Sequence, residues 1–159
     1  MKALHLSAAV IMHIIMQADY DVIEFHEPKS YREVWDLQKQ INRDVYEGRC
    51  CESVIFVEHL PVYTLGVHGK IENVKVPVDE IGNGGAEVVR IERGGDVTFH
   101  GPGQLVVYPI IRLIDRPYGV KRYVEQLEDT VINVCKQYGI KTLRNPDAPG
   151  VWCDTGIPK

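Results

Sequence analysis

Twelve residues in the middle of the chain leave the backbone few options: Arg93-Gly94-Gly95-Asp96-Val97-Thr98-Phe99-His100-Gly101-Pro102-Gly103-Gln104. Two adjacent glycines lack a Cβ, so the chain can bend sharply there and a ligand can approach the main chain closely. The alternation that follows has the strand period, which puts Asp96, Thr98 and His100 on one face and Val97 and Phe99 on the other. This pattern predicts Thr98 and His100 facing a cleft, with Val97 and Phe99 in the core. Gly101-Pro102-Gly103 is a turn signal, and Gln104 opens the next strand with both donor and acceptor groups. A bend, a two-faced strand and a tight exit together suit a ligand cradle. A plain glycine-rich hairpin, its His100 bonded to backbone, is the simpler alternative.

The flanking sequence predicts helices and short strands around this segment. Asp21 to Phe25 reads as a strand. Ser30 can cap a helix, with Glu33 three residues later in capping-box position, and Val34, Leu37, Ile41 and Val45 recur at helical spacing up to a stop at Gly48. Ser53 to Glu58, Val62 to Leu65 and Glu87 to Glu92 are strand candidates, and a helical turn is expected around Val78 to Ile81. After Val97 to His100, Gln104 to Ile111 continues as a strand. Its Leu105-Val106-Val107-Tyr108 run reads as buried on both faces, with pairing lapsing at Pro109. A second helix is predicted over Val120 to Tyr138, its stripe formed by Val124, Leu127, Val131 and Val134 and its stop by Gly139. Gly150 to Asp154 reads as a strand that enters a turn at Thr155-Gly156-Ile157-Pro158 without a visible return partner.

At 159 residues the chain is long enough for one domain with a substantial core. Residues 1–20 read as an N-terminal extension and 21–159 as the domain. Lys2 and the apolar run Ala3 to Met16 resemble a secretory signal faintly. His5, Ser7 and His13 interrupt the run, and it falls short of the ~20 residues of a membrane span. The net charge of −4 argues against a general nucleic-acid binder, which needs a basic footprint. Cys50, Cys51, Cys135 and Cys153 have no C-x-x-C spacing and fit neither a zinc site nor a disulfide framework, so reduced thiols in a cytoplasmic protein are expected.

The glycine–histidine segment resembles the signature R-G-G-x-x-T-x-H-x-x-G-Q of lipoyl(octanoyl) transferases, filled here by Arg93, Gly94, Gly95, Thr98, His100, Gly103 and Gln104. Two more blocks agree in order and spacing. Glu58-His59-Leu60-Pro61-Val62-Tyr63-Thr64-Leu65-Gly66 is similar to the family's E-H-x-P-V-Y-T-L-G block, and Pro149-Gly150-Val151-Trp152 to its P-G-V-W strand. The resemblance runs from about Val22 to Asp154. It implies an α/β (α+β) domain of the biotin/lipoate ligase and transferase type, a mixed sheet with packed helices, here lacking its C-terminal strands.

The resemblance also implies a chemistry: octanoyl passes from the thioester of acyl carrier protein to a lysine of a lipoyl domain, through a cysteine thioester assisted by a lysine. Arg93, Gly94, Gly95, Asp96, Val97, Thr98, Phe99 and His100 should bind the acyl group. Catalytic residues cannot be assigned, because the family's cysteine and its lysine partner are expected beyond position 159. Lys159 lies near the lysine position but lacks the family's following Ile and Gly. Cys153 sits where the motif does not fix a cysteine and reads as filler. No cofactor, metal, nucleic acid or membrane is implied, and a monomer is expected. The cations Arg112, Arg116, Lys121, Arg122, Lys136, Lys141 and Arg144 could form a docking face for acidic partners. Two alternatives remain: an ATP-dependent lipoate–protein ligase, whose comparable segment is R-R-x-x-G-G-G-x-V-x-H-D-x-G-N, and a non-catalytic acyl-binding remnant. A biotin ligase segment G-R-G-R-x-G-R and a P-loop are both missing from the sequence.

Overall fold

A helix and two small mixed sheets set the position of the glycine–histidine segment. The computed structural model describes residues 20–75, 85–117, 119–146 and 148–153. These fall into two compact units that divide between Ile111 and Arg112.

In the first unit, strand β1 (Asp21–Glu24) pairs in parallel with β2 (Ser53–Val57), and β6 (Val106–Ile110) pairs antiparallel on the other side of β2. All five residues of β2 are buried, as expected for the middle strand of a sheet whose face is covered. The second sheet has the order β4-β3-β5, with β3 (Val62–Leu65) parallel to β4 (Glu87–Arg90) and antiparallel to β5 (Val97–His100). Both sheets are mixed, in line with the expected fold class.

Helix α1 (Tyr31–Tyr46) spans both cores. It starts where predicted: the Glu33 N–H reaches the Ser30 hydroxyl at 3.5 Å. Beyond its end, Gly48 takes a φ of +71°, a left-handed conformation that suits a residue without Cβ. Val34, Ile41 and Val45, with Leu37 beside them, pack on Ile55, Val57 and Ile110 of the first sheet. One turn earlier, Tyr31 and Trp35 pack on Val62, Val89 and Ile91 of the second. The 3.6-residue period therefore places one apolar stripe across two sheets, and burying each such side chain contributes about 1.5–3 kcal/mol.

The β6 expectation needs correction. Leu105 lies outside the strand and is largely exposed, while Val106, Tyr108 and Ile110 pack inward. Within the strand Val106 to Pro109 are half-buried and Ile110 is buried. Pairing continues through Pro109, opposite Val54. At the end of the described sheet, alternate N–H groups point away from the partner strand, so proline is tolerated.

The second unit holds helix α2 (Gly119–Gln137) and a hairpin of β7 (Thr142–Asn145) with β8 (Ala148–Cys153). The sequence carries no clear signal for β7, and in it β8 finds the partner that was expected to be absent. Arg144 on β7 reaches Glu128 at 2.8 Å and Asp129 at 2.7 Å on α2, and Glu128 also accepts the Gly150 N–H at 2.8 Å. Charge and backbone thus fix the hairpin against the helix. Of the predicted stripe only Val134 is buried; Val124, Leu127 and Val131 are partly exposed. Arg112 and Arg122 pair with Asp115 and Glu125, so these two and Arg144, all considered for docking, are engaged within this unit. The turns predicted at Val78 to Ile81 and Thr155 to Pro158, and Lys159, lie outside the described residues. Between β3 and β4, Ile71–Asn73 forms a 3-10 turn.

Candidate functional site

The Arg93 side chain builds the bend. Its Nη2 donates to the Thr64 carbonyl at 2.8 Å, lies 3.0 Å from the Thr64 hydroxyl and 3.2 Å from the Asp96 carbonyl, and its Nη1 donates to the Gly94 carbonyl at 2.9 Å. The planar fork of a guanidinium suits several fixed carbonyls at once. Main-chain bonds reinforce it: Gly66 N–H to the Asp96 carbonyl at 2.8 Å, and Val67 N–H to the Arg93 carbonyl at 2.9 Å. The approach is so close that a Cβ on Gly66 would lie 2.5 Å from the Gly95 oxygen and 2.8 Å from the Arg93 oxygen. Gly95 itself has φ +85°, where an L side chain is strained.

Asp96 faces away from any cleft role. One carboxylate oxygen accepts the Asn73 amide at 2.6 Å and the other the Lys70 N–H at 3.3 Å, tying the 3-10 turn to the bend. Around Gly94 the flank is open: a Cβ added there would meet nothing within 4 Å.

Along β5 the predicted faces hold, but their environments are partly reversed. Thr98 and His100 pair with Thr64 and Val62 on the side that Tyr31 covers, and both are half-buried. Val97 is also half-buried, and Phe99, expected in the core, is 46% exposed. Its ring rests on Tyr63 at 4.9 Å between centroids and covers Gly101, where a Cβ would meet the ring at 2.8 Å. Strand β5 thus has an apolar outer strip and a polar inner margin.

That margin ends in a cluster that no sequence pattern assembles. His59 is fully buried. The chain from Phe25 to Lys29 runs beside β2 and its extension, and a parallel bridge joins Lys29 to His59. His59 Nδ1 lies 3.2 Å from the Lys29 carbonyl, and Nε2 lies 2.8 Å from the Tyr108 hydroxyl. A carbonyl only accepts, so Nδ1 carries the hydrogen and Tyr108 donates to Nε2. His100 sits 5.9 Å from His59 and stacks on Tyr31 at 6.1 Å between ring centroids. Its Nδ1 is 2.7 Å from Gln104 Oε1.

Burial favours the neutral forms of His59, Tyr108 and Tyr31. Burial pushes the His59 pKa below its ordinary value; the Lys29 carbonyl opposes that shift and His100 adds to it. Burial raises Tyr108 strongly, and it raises Tyr31 against the opposing charge of Arg93. The arrangement offers fixed hydrogen-bond donors and acceptors without a permanent charge at their centre. Among the described residues no group of three or more His, Cys, Asp or Glu is placed to hold a metal. All four cysteines are free, and Cys50, Cys51 and Cys153 are exposed.

Of the eight predicted binding residues, the structure gathers Thr98 and His100 on one face and Gly94 and Gly95 in one bend, while Arg93 and Asp96 are occupied by the loop itself. Tyr31, Glu58, His59 and Tyr108 join the site without having been predicted there. A signal existed for Glu58 and His59, which stand at the head of the block ending at Gly66, whereas Tyr31 and Tyr108 are brought in only by tertiary packing.

The family profile described as the lipoyl protein ligase A/B catalytic domain matches residues 30–156. Relatives include octanoyltransferases of Dictyoglomus thermophilum, 39% identical over 84% of this chain, and of Bacteroides fragilis, 41% identical over 86%. A third, from Geobacter metallireducens, is 44% identical over 76% of the chain. The chain spans 56%, 61% and 53% of the lengths of these three proteins. With the profile covering most of its length, the chain belongs to the lipoyl protein ligase A/B catalytic domain family.

Proposed function

We propose that the protein acts in octanoyl transfer, with this chain forming the acyl-binding wall. Octanoyl leaves the thioester of acyl carrier protein and ends as an amide on a lysine of a lipoyl domain. A cysteine thiolate attacks the thioester carbonyl, forms a new thioester and releases the carrier thiol. The lysine amine then attacks that thioester, and the thiolate departs. A thioester is already activated, so the exchange needs neither nucleotide nor metal. By resemblance the nucleophile is a cysteine paired with a lysine, and none of the four cysteines here matches that cysteine in the family pattern. A cytoplasmic location fits the reduced thiols, and among the described residues no helix is long and apolar enough to cross a membrane.

In this reading the Gly94-Gly95 backbone lies against the acyl chain, with Val97 and Phe99 lining its course and Thr98 and His100 beside the reacting carbonyl. From Val97 to His100 a strand extends about 10 Å, the length scale of an extended eight-carbon chain. The observation that carries the proposal is the bare, open flank of Gly94 on a bend that Arg93 fixes rigidly. Supporting it, the named relatives are octanoyltransferases.

The test is Gly94→Val. Gly95→Val would be strained at φ +85° whatever it touched, whereas a side chain at Gly94 meets open space and should leave folding intact. Binding of octanoyl-acyl carrier protein, followed by calorimetry, should be lost with the urea midpoint unchanged. Retained binding refutes the placement of the acyl chain. A requirement for ATP with free octanoate would favour the ligase.

A further inference from the structure

Glu58 stands one residue before His59 and reaches across 45 positions of sequence. Its Oε2 accepts the Gly103 N–H at 3.0 Å, while its own carbonyl accepts the Lys29 N–H at 2.9 Å. The Gly103 amide belongs to a four-residue turn. Gln104 N–H donates to the Gly101 carbonyl at 3.1 Å, Pro102 takes the second position, and Gly103 has φ +84° in the third. That is the type II pattern, in which the central peptide turns its N–H outward, away from the turn's closing bond. Left alone, that N–H has no acceptor within the turn, and Glu58 supplies one. The carboxylate therefore ties the turn to the segment that carries His59.

Gln104 follows directly, and its Oε1 lies 2.7 Å from His100 Nδ1. With an amide oxygen accepting, Nδ1 carries the hydrogen, and in the neutral ring Nε2 then keeps its lone pair. The ring is already oriented by Tyr31 and His59, at 6.1 Å and 5.9 Å between centroids, so the turn sets only which nitrogen is protonated. We propose that Glu58 is a positioning residue for His100: by holding the Gly103 amide it keeps Gln104 on Nδ1 and leaves Nε2 as the free, basic nitrogen. A base at Nε2 would serve the acyl site described above, and that consequence rests on the proposed function; the tautomer itself does not.

The experiment uses the full chain labelled with ¹⁵N at histidine, whose long-range ¹H–¹⁵N spectra distinguish the two neutral tautomers. The parent protein should show His100 protonated at Nδ1. Glu58→Ala should move the population towards the Nε2–H form that free imidazole side chains prefer, and should speed exchange of the Gly103 amide about tenfold, the factor expected for one lost net hydrogen bond. Glu58→Gln, which still offers an oxygen to that amide, should restore both readings. Gln104→Leu should reproduce the tautomer change without touching the turn. If Glu58→Ala does not fold, Glu58→Asp replaces it, being one methylene too short to reach Gly103. An Nε2–H form in the parent, an unchanged tautomer in the shortened variants, or failure of Glu58→Gln to rescue would each overturn the proposal. Because no substrate enters these measurements, loss of the octanoyl reading would leave them standing. Conversely, intact octanoyl binding with an unmoved tautomer would remove only the role of Glu58.

Discussion

Replacing Arg93 by alanine separates a structural arginine from a ligand-binding one. The guanidinium makes three close contacts, to the Thr64 carbonyl at 2.8 Å, the Gly94 carbonyl at 2.9 Å and the Thr64 hydroxyl at 3.0 Å. The Asp96 carbonyl at 3.2 Å competes for the same Nη2 hydrogens. Hydrogen bonds from a charged donor contribute about 1.5–3 kcal/mol each when buried, but the exposed Gly94 carbonyl would regain water on truncation, so the net loss should be about 2–3 kcal/mol. With an m-value of about 2 kcal/mol per molar urea, the midpoint should fall by about 1–1.5 M. Arg93→Lys should recover at most about 1 kcal/mol, since one ammonium cannot span acceptors set around a planar fork. The assay is urea unfolding followed by tryptophan fluorescence, run beside octanoyl binding. A midpoint within about 0.3 M of the parent, with binding abolished, would refute the reasoning and make the guanidinium a substrate contact.

Three further outcomes follow from the same geometry. Gly66→Ala should destabilise by about 3 kcal/mol, because its Cβ meets three backbone oxygens that cannot move aside, while Gly94→Ala should change stability by less than about 0.5 kcal/mol; equal effects in urea unfolding would contradict both. The depressed His59 pKa means that the unfolded chain binds the proton more tightly, so its contribution is complete above the ordinary histidine value near 6.5 and is lost as pH falls below it towards the folded value. Urea midpoints at pH 7.5 and 5.5 should therefore fall less in His59→Gln than in the parent, and parallel falls would exclude His59 as the source. Ser30→Ala should cost only about 0.5 kcal/mol, the low end for a cap, because the bond to Glu33 is long at 3.5 Å; a loss above about 2 kcal/mol in urea unfolding would mean the hydroxyl does more than cap the helix.

Much of the fold was legible because its signals are local. The Ser30 cap, the stripe through Ile41 and the stop at Gly48 fix α1 from neighbouring residues alone, and β3 and β5 fall within the predicted limits. What failed depended on partners distant in sequence. Phe99 alternates like a core residue, yet the face it shares with Tyr63 is not covered, so it stays exposed. The apolar run at Leu105 to Tyr108 looked buried throughout because composition cannot reveal that Leu105 stands outside the strand and is exposed. Strand β7, Thr-Leu-Arg-Asn, has little apolar alternation and is held by Arg144 contacts to α2 rather than by a core. For the site, the segment Arg93 to His100 was readable as a unit, but its partners were not: Tyr108 meets His59 only because β6 pairs with β2 across about fifty residues of chain.

The pattern R-G-G-x-x-T-x-H-x-x-G-Q is first a recipe for a loop. Arg93 fixes the bend, Gly95 and Gly103 take left-handed backbone angles, and Gln104 meets His100 Nδ1. On the proposed reading the ligand would meet the open flank of Gly94, the half-buried Thr98 and His100, and the side chains of Val97 and Phe99. The comparable ligase segment keeps a glycine bend and a histidine, so on the proposed reading the loop would hold an acyl chain without choosing the reaction. That choice depends on how the acyl group arrives. A free acid must be activated by a nucleotide, whereas a thioester needs only a thiolate to receive it. On the proposed reading, substitutions within the loop should alter acyl binding without converting one reaction into the other.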